Sequence, residues 1–331
     1  MQRQEWLIPT KKGLYCEPGD FYIDPTRVVS RAVITHGHAD HARRGHQAVL
    51  ATAETLAVMR ARLGPKAVGG GQAMALGERL AIGDVDVRLV PAGHVFGSAQ
   101  VVMDYRGERA VVTGDYKRRP DPTCPPFEPV TCDLFVTEAT FGLPVYRHPP
   151  ADQEIRRLLE SVALFVDRPH LIGAYSFGKA QRLLALLRAA GYDAPIWLHP
   201  TLWQVTGLYQ ASGHDFGDLR RLEGGDPGAD ARIVLAPPSA GDRLLAPLLR
   251  RRPVRVSASG WMGVRRYRGR GGGGLPLVIS DHADWRELTD TIKTVTRQRF
   301  WVMHGDAAAL VQFGRTAGLD GQALPQAMAV P

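Results

Sequence analysis

Cysteine is scarce in this chain of 331 residues: Cys16, Cys124 and Cys132 are the only three. They form no C-x-x-C pair, and an odd number leaves one unpaired under any disulfide scheme. That excludes a zinc ribbon and a disulfide-stapled secreted scaffold. Long apolar runs are missing too. None reaches the roughly 18 residues of a membrane span, and the amino terminus has no stretch that reads as a signal peptide. A protein of the reducing cytoplasm with no membrane contact is expected. The pattern GxxxxGK[ST] is absent, as is a GxGxxG following a strand, so nucleotide cofactors have no support. No repeat of fixed period is present.

What is present is an ordinary globular mixture, 44% apolar and 22% charged, which excludes a disordered, collagenous or coiled-coil chain. At roughly 150 residues per domain, the length suggests two domains or one larger domain carrying an insertion. Lys and Arg number 41 against 33 Asp and Glu, a balance of +8. An excess of that sign favours polyanionic partners.

Short strand-like runs occupy the first 140 residues, at 21–23, 32–35, 85–90, 100–104, 110–113 and 134–137, with a clear helix at 53–63. From 152 to about 191 the period lengthens to that of helices, with amphipathic stretches at 154–165 and 179–190. Strand-like runs return at 196–198, 233–236, 254–257, 277–280 and 299–303, and a helical stretch spans 286–295. This alternation predicts an α/β protein. Gly- and Pro-rich punctuation at 142–150 and 269–274 marks two seams.

Four of the eleven histidines crowd between residues 36 and 46. The strand at 32–35 runs straight into His36-Gly37-His38-Ala39-Asp40-His41, and in extended backbone residues two apart share a face. His36 and His38 can therefore chelate one ion, while the following turn can present Asp40 and His41 to a neighbouring one. Polar loop residues at a strand end would rarely produce three histidines and an aspartate at this spacing. His94, Asp115 and His304 also follow strands, and strand ends converge on one rim of a sheet, where α/β proteins place ligands and catalytic groups. Taken singly, each of these also fits a capped turn or a solvated loop.

These residues resemble the metallo-β-lactamase-fold hydrolases, through HxHxDH, His94 and Asp115. The remainder resembles their β-CASP nucleic-acid-processing branch, through Glu138 in TEAT, His282 in SDHADW and His304 in MHGD. SDHADW and SGWM (259–262) are most similar to bacterial DNA-ligase-associated exonucleases. The resemblance implies an αββα sandwich, in two parts at 1–144 and 254–331, interrupted by a β-CASP cap at 145–253 that serves as a lid over the metal rim.

It further implies two divalent ions, zinc or manganese. His36, His38 and His94 would hold one and Asp40, His41 and His304 the other, with Asp115 bridging and Asp24 orienting the ligands from behind. Such a net-positive site suits a phosphodiester, and paired ions support in-line attack. Asp40, His282 and Glu138 are the implied catalytic groups. His282 would protonate the leaving oxygen and Glu138 would hold its imidazole. His282 also stands where a helix start is expected, and both roles can coexist.

The implied activity is a DNA exonuclease acting on single strands or strand ends, with a lean towards 5′ ends, in repair beside a DNA ligase and an Lhr-type helicase. An RNA substrate is the alternative, because His304 is kept in RNA-processing members and replaced in the crosslink-repair nucleases. A catalytically silent binding subunit would fit if ligands were missing, but all seven ligand positions are filled. A glyoxalase-type hydrolase shares HxHxDH but neither the insertion nor the SDH histidine.

Two further segments could meet phosphates. Ser176-Phe177-Gly178-Lys179 is a strand exit entering a helix, where backbone N–H groups favour anions and Lys179 adds a point charge. The same residues fit an ordinary Ser cap with a solvated lysine. Arg265, Arg266, Arg268 and Arg270 flank Tyr267 beside the Gly-rich seam and could contact backbone phosphates, with Arg250–Arg252 as a weaker second cluster.

Overall fold

The computed structural model describes residues 5–224, 227–238, 240, 243–264 and 274–324. The chain divides into two units: Met1–Pro144 with His282–Pro331, and Val145–Asp281.

In the first unit, strands β1 (Leu7–Thr10), β2 (Gly13–Cys16), β3 (Phe21–Ile23), β4 (Arg31–Val33), β5 (Ala48–Ala51) and β6 (Gly70–Ala73) form one sheet in sequence order. The next five, β7 (Arg79–Ile82), β8 (Val85–Pro91), β9 (Ala99–Tyr105), β10 (Glu108–Val112) and β11 (Cys132–Ala139), begin a second sheet. Antiparallel pairing takes it from β7 to β10, and then β11 joins β10 in parallel.

The alternation along these strands sorts the core. Val85, Val87, Leu89, Val101, Met103, Val112, Leu134 and Val136 join Leu7, Leu14, Phe21, Ile23, Val33 and Leu50 of the first sheet in one cluster. Residues of the opposite parity, such as Val90, Val102, Val111 and Phe135, pack instead with Leu288, Ile292 and Val295 of the helix Trp285–Val295 and Leu310 of the helix Ala307–Thr316. On the outer side of the first sheet, Ala32, Ile34, Val49 and Ala51 meet Leu56 and Met59 of the helix Ala53–Leu63. β11 is covered on both faces, with every residue from Cys132 to Ala139 buried, and its middle is accordingly the apolar run Leu134–Val136.

Among the described residues the second unit holds six parallel strands: β12 (His170–Gly173), β13 (Ile196–Leu198), β14 (Leu219–Arg221), β15 (Ile233–Ala236), β16 (Val254–Ala258) and β17 (Leu275–Leu277). Their spatial order is β14-β13-β15-β12-β16-β17. This corrects two expectations. The insertion does not end at Pro253, because β16 pairs with β12 and β17 with β16, so the chain stays in this unit through Asp281. The stretch from 152 to 191 is not wholly helical: β12 lies between the helices Ala151–Leu164 and Lys179–Ala189. The chain then returns to the first unit, where β18 (Thr296–Gly305) pairs in parallel with β11, and β19 (Asp320–Ala323) with β18. No helix among the described residues is long and apolar enough to cross a membrane.

Candidate metal centre

The residues of interest leave the carboxyl ends of β3, β4, β8, β10, β11 and β18. Strand β4 stops at Val33, earlier than expected, and the chain then turns tightly, with Ala42 N–H donating to His38 C=O at 2.8 Å. That turn brings Asp40 and His41 back beside His36. Behind it stands Asp24, whose left-handed φ of 43° aims its carboxylate inward, a conformation aspartate tolerates better than most residues. The carboxylate accepts from Thr35 N–H at 2.8 Å, from Thr35 Oγ1 at 2.6 Å and from His41 Nδ1 at 2.8 Å.

A bulge shapes the opposite wall. Thr137 pairs with Val302 but Ala139 with Gly305, so β18 carries one residue more than β11 between the pairs. The surplus is absorbed at His304 (φ 58°) and Gly305 (φ 82°). A Cβ on Gly305 would lie 2.1 Å from the Ala139 carbonyl oxygen, so only glycine lets the two strands approach this closely.

The donors fall into three overlapping sets: His36, His38, His94 and Asp115; Asp40, His41 and Asp115; and Asp115, Glu138 and His282. Asp115 is common to all. Its Oδ2 lies 3.6 Å from His36 Nε2 and 3.7 Å from His94 Nε2, whereas its Oδ1 lies 3.5 Å from His41 Nε2. His38 Nδ1 is 3.1 Å from His36 Nε2 and 3.0 Å from His94 Nε2. Asp40, largely exposed, reaches within 3.7 Å of His41 Nε2. The His304 ring is stacked at a tilt 5.1 Å from that of His41, but His304 joins none of the three sets.

His282 lies 2.9 Å from Glu138 Oε2 and 3.8 Å from Asp115 Oδ2, both through Nδ1. Glu138 is 1% exposed and its Oε1 also accepts from Tyr116 N–H at 2.8 Å. The following Ala283 is tied to Tyr116 C=O at 2.7 Å, and Asp284 caps the next helix in a reciprocal box with Glu287.

Charge sorts these groups further. Burial, helped by the neighbouring His41, holds His36 well below the ordinary imidazole range. Burial and His41 likewise lower His304. Burial also opposes a charge on His41, but Asp115 and Asp24 overcome it and carry the ring well above its usual value. Burial alone would raise Asp115, yet His41 and His282 hold it well below the carboxylate range. The centre therefore places neutral imidazoles at His36 and His304 and a cationic one at His41 around the ionised Asp115. His41 Nε2 is buried without a hydrogen-bond partner while its Nδ1 is committed to Asp24. An imidazole with one nitrogen oriented by a carboxylate and the other left open is the arrangement of a metal ligand. A divalent cation fits this donor set, and its binding would displace the His41 proton.

Several supporting residues carry no sequence signal of their own. Thr35 bridges Asp24 and His36, the latter at 3.1 Å. Ser98 Oγ accepts from His94 N–H and Val95 N–H, both at 3.1 Å. Arg62 donates to the Gly37 carbonyl within the HxHxDH turn.

The expected phosphate site at 176–179 is corrected. Lys179 is 5% exposed, with Nζ donating to Ile279 C=O and paired with Asp281 Oδ2 at 3.1 Å. Gly178 N–H donates to Gln181 Oε1 at 2.9 Å, and Gln181 Nε2 donates to Ser176 C=O at 3.1 Å. Gly178 N–H is thus engaged from within the helix, and the lysine is spent on a buried carboxylate. Arg265, Arg266 and Arg268 lie outside the described residues.

No family model matches the chain. Curated proteins do resemble it. It is 32% identical over 334 residues to a probable DNA ligase of Opitutus terrae, across 96% of this chain and 31% of that protein. It is 30% identical over 224 residues to ribonuclease TTHA0252 of Thermus thermophilus, across 57% and 50%. It is 32% identical over 136 residues to an uncharacterised protein in the lig 3′ region of Acidianus ambivalens, across 40% and 92%. The chain thus spans 31% and 50% of the length of the first two.

Proposed function

The chain belongs to the β-CASP branch of the metallo-β-lactamase-fold nucleases, and from that premise we propose that it is a two-metal phosphodiesterase that shortens DNA strands from their ends. The observation that carries this is the division of Asp115, one oxygen toward His36 and His94 and the other toward His41. A carboxylate placed so can bridge two ions.

His36, His38 and His94 would hold one ion and Asp40, His41 and His304 the other, with zinc or manganese accepted by this mixture of imidazole and carboxylate. When bound, the pair would polarise the phosphoryl oxygens and lower the pKa of the attacking water. The protein's own residues do the rest. Asp24 fixes the ring of His41. His282, through the nitrogen not engaged by Glu138, donates a proton to the departing sugar oxygen. The Glu138 carboxylate stabilises the imidazolium and holds it against the Tyr116 backbone.

The layering supports an αββα sandwich for the first unit, with helices outside two sheets that share one core. The second unit would be its β-CASP cap. Charge supports a nucleic-acid substrate: Val145–Asp281 carries 19 Lys and Arg against 12 Asp and Glu, a net +7, whereas the remainder of the chain nets +1. Action beside a DNA ligase is consistent with the names of the relatives from Opitutus and Acidianus. The Thermus relative, a ribonuclease by name, favours RNA as the second reading.

The test uses matched single strands of DNA and RNA, each labelled at the 5′ or 3′ end, with Mn²⁺ or Zn²⁺. Stepwise shortening of DNA from the 5′ end is expected, with loss of activity in Asp40→Ala. Preferential cleavage of RNA would shift the assignment to the second reading. No cleavage of either strand, or full activity in Asp40→Ala, would refute both.

A further inference from the structure

A buried ammonium group beside the centre has no part in the chemistry described above. Lys117 follows Asp115 by two residues, and its side chain is 1% exposed. Its three donors meet three acceptors: Gly93 C=O at 2.7 Å, His94 C=O at 3.1 Å and Asp121 Oδ2 at 2.8 Å. Asp121 is itself only 2% exposed, and its other oxygen accepts from Thr123 N–H at 2.8 Å and Thr123 Oγ1 at 2.6 Å.

The loop that Lys117 grips is built for a close approach. Gly93 has φ 71°, and a Cβ there would fall 2.4 Å from the Lys117 carbonyl oxygen and 2.9 Å from Phe127 N. Lys117 N–H also donates to Ala92 C=O at 3.3 Å. The His94 peptide is thus held on both sides, its N–H by Ser98 and its C=O by Lys117. Its imidazole faces Asp115 and His38.

Dehydrating two charges is costly, and a buried ion pair is weak as a device for stability alone. This one connects two loops that each deliver a donor to the same set. We propose that Lys117 is a positioning residue that locks the His94 loop to the Asp115 turn and so sets the geometry of the His36, His38, His94 and Asp115 metal site. The inference rests on the two-ion reading above. Asp121 neutralises the ammonium, which would otherwise repel a nearby cation, and the clamp reaches the Asp40 and His41 side only through the shared Asp115.

The experiment measures metal affinity in the purified full chain by competition with a chromogenic chelator. It also records the visible spectrum of the Co²⁺-loaded protein. Lys117→Met is expected to weaken the site of His36, His38 and His94 by about 10- to 100-fold, as loss of a ligand-orienting partner does, and to alter the Co²⁺ bands of that site more than those of the site that shares Asp115 with it. Lys117→Met with Asp121→Asn removes both charges, leaves no unpaired ion and keeps the contact to Thr123, so it serves if the single variant does not fold. The same selective loss is expected. Wild-type affinity and spectrum in a folded variant would overturn the proposal. Failure of both variants to fold would also overturn it, since Lys117 would then be a scaffold residue. A wild-type chain that binds fewer than two ions would instead overturn the two-ion reading, and the inference with it.

Discussion

Glu138→Gln should separate proton donation from every other part of the proposed reaction. Glutamine preserves the length and burial of a side chain that is 1% exposed, but it has one acceptor oxygen where the carboxylate uses two. Glu138 Oε1 receives Tyr116 N–H at 2.8 Å, and Oε2 receives His282 Nδ1 at 2.9 Å. If the amide oxygen stays with Tyr116, an N–H₂ group faces Nδ1, which can then no longer carry a proton. The ring stays held by the amide N–H, but an imidazolium formed there loses its counter-charge and its second acceptor. A hydrogen bond between charged partners contributes about 1.5–3 kcal/mol, and a decade in rate corresponds to about 1.4 kcal/mol. Cleavage of DNA should therefore fall about 10- to 100-fold. The decisive comparison is thymidine 5′-monophosphate p-nitrophenyl ester, whose leaving group departs without a proton. Its turnover should stay within about threefold of wild type, since only the step assisted by general acid is affected. Equal losses on both substrates at matched metal content, or none on DNA, would refute the roles of His282 and Glu138.

Three further outcomes are expected. Asp24→Ala removes the acceptor that orients His41 Nδ1 and should weaken metal binding about 10- to 100-fold; calorimetric titration giving wild-type affinity would contradict it. Burial pushes the Cys16 and Cys132 thiols up to about 12, while Cys124 is half-buried. A thiol reagent near neutral pH should thus modify one cysteine in the native protein and three in denaturant, counted by mass spectrometry. In the second unit, burial lowers His170 to about 4, below the usual imidazole value. The unfolded chain then binds more protons, so the His170 contribution is whole above about pH 6.5 and is lost as pH falls toward 4. His170→Gln should flatten the decline of the melting temperature across that window, and an unchanged slope would count against it.

Fold legibility in the sequence follows how local each element's cause is. Strands 100–104, 110–113 and 134–137 were readable because cover on both faces gathers apolar residues into compact runs, and 85–90 because its apolar and polar residues alternate. The helix Trp285–Val295 was readable because Asp284 and Glu287 form a capping box. Strand β12 was hidden inside a helical stretch because four residues, His170–Gly173, owe their state to pairing with β15 and β16, which come 60 and more residues later. The strand expected at 277–280 lies instead at Leu275–Leu277. The carbonyls of Ile279 and Ser280 are taken by the side chains of Lys179 and Arg182 rather than by a neighbouring strand. Strand β6, Gly70–Ala73, is exposed along its length and has no pattern to read.

The candidate centre was more legible than the fold, since its donors are dense along the chain and strand ends gather them at one rim. Cations were not legible in the same way. Lys179 had the position of a phosphate ligand and Lys117 had no signal, yet both are buried and paired with a carboxylate; what decides is where distant acceptors converge, and sequence spacing does not encode that. The consequence reaches the substrate. Lys179 is the only lysine in Val145–Asp281, beside 18 arginines, and Lys179 and Arg182 are both spent on Asp281. Setting those three charges aside still leaves 17 cations against 11 anions, a net +6 carried by guanidinium groups alone. Guanidinium groups pair with phosphate through two parallel N–H donors and stay charged at any working pH. Strand affinity in this unit should therefore depend on its exposed arginines and fall steeply with salt, and Lys179 should matter to it only through the loop it anchors.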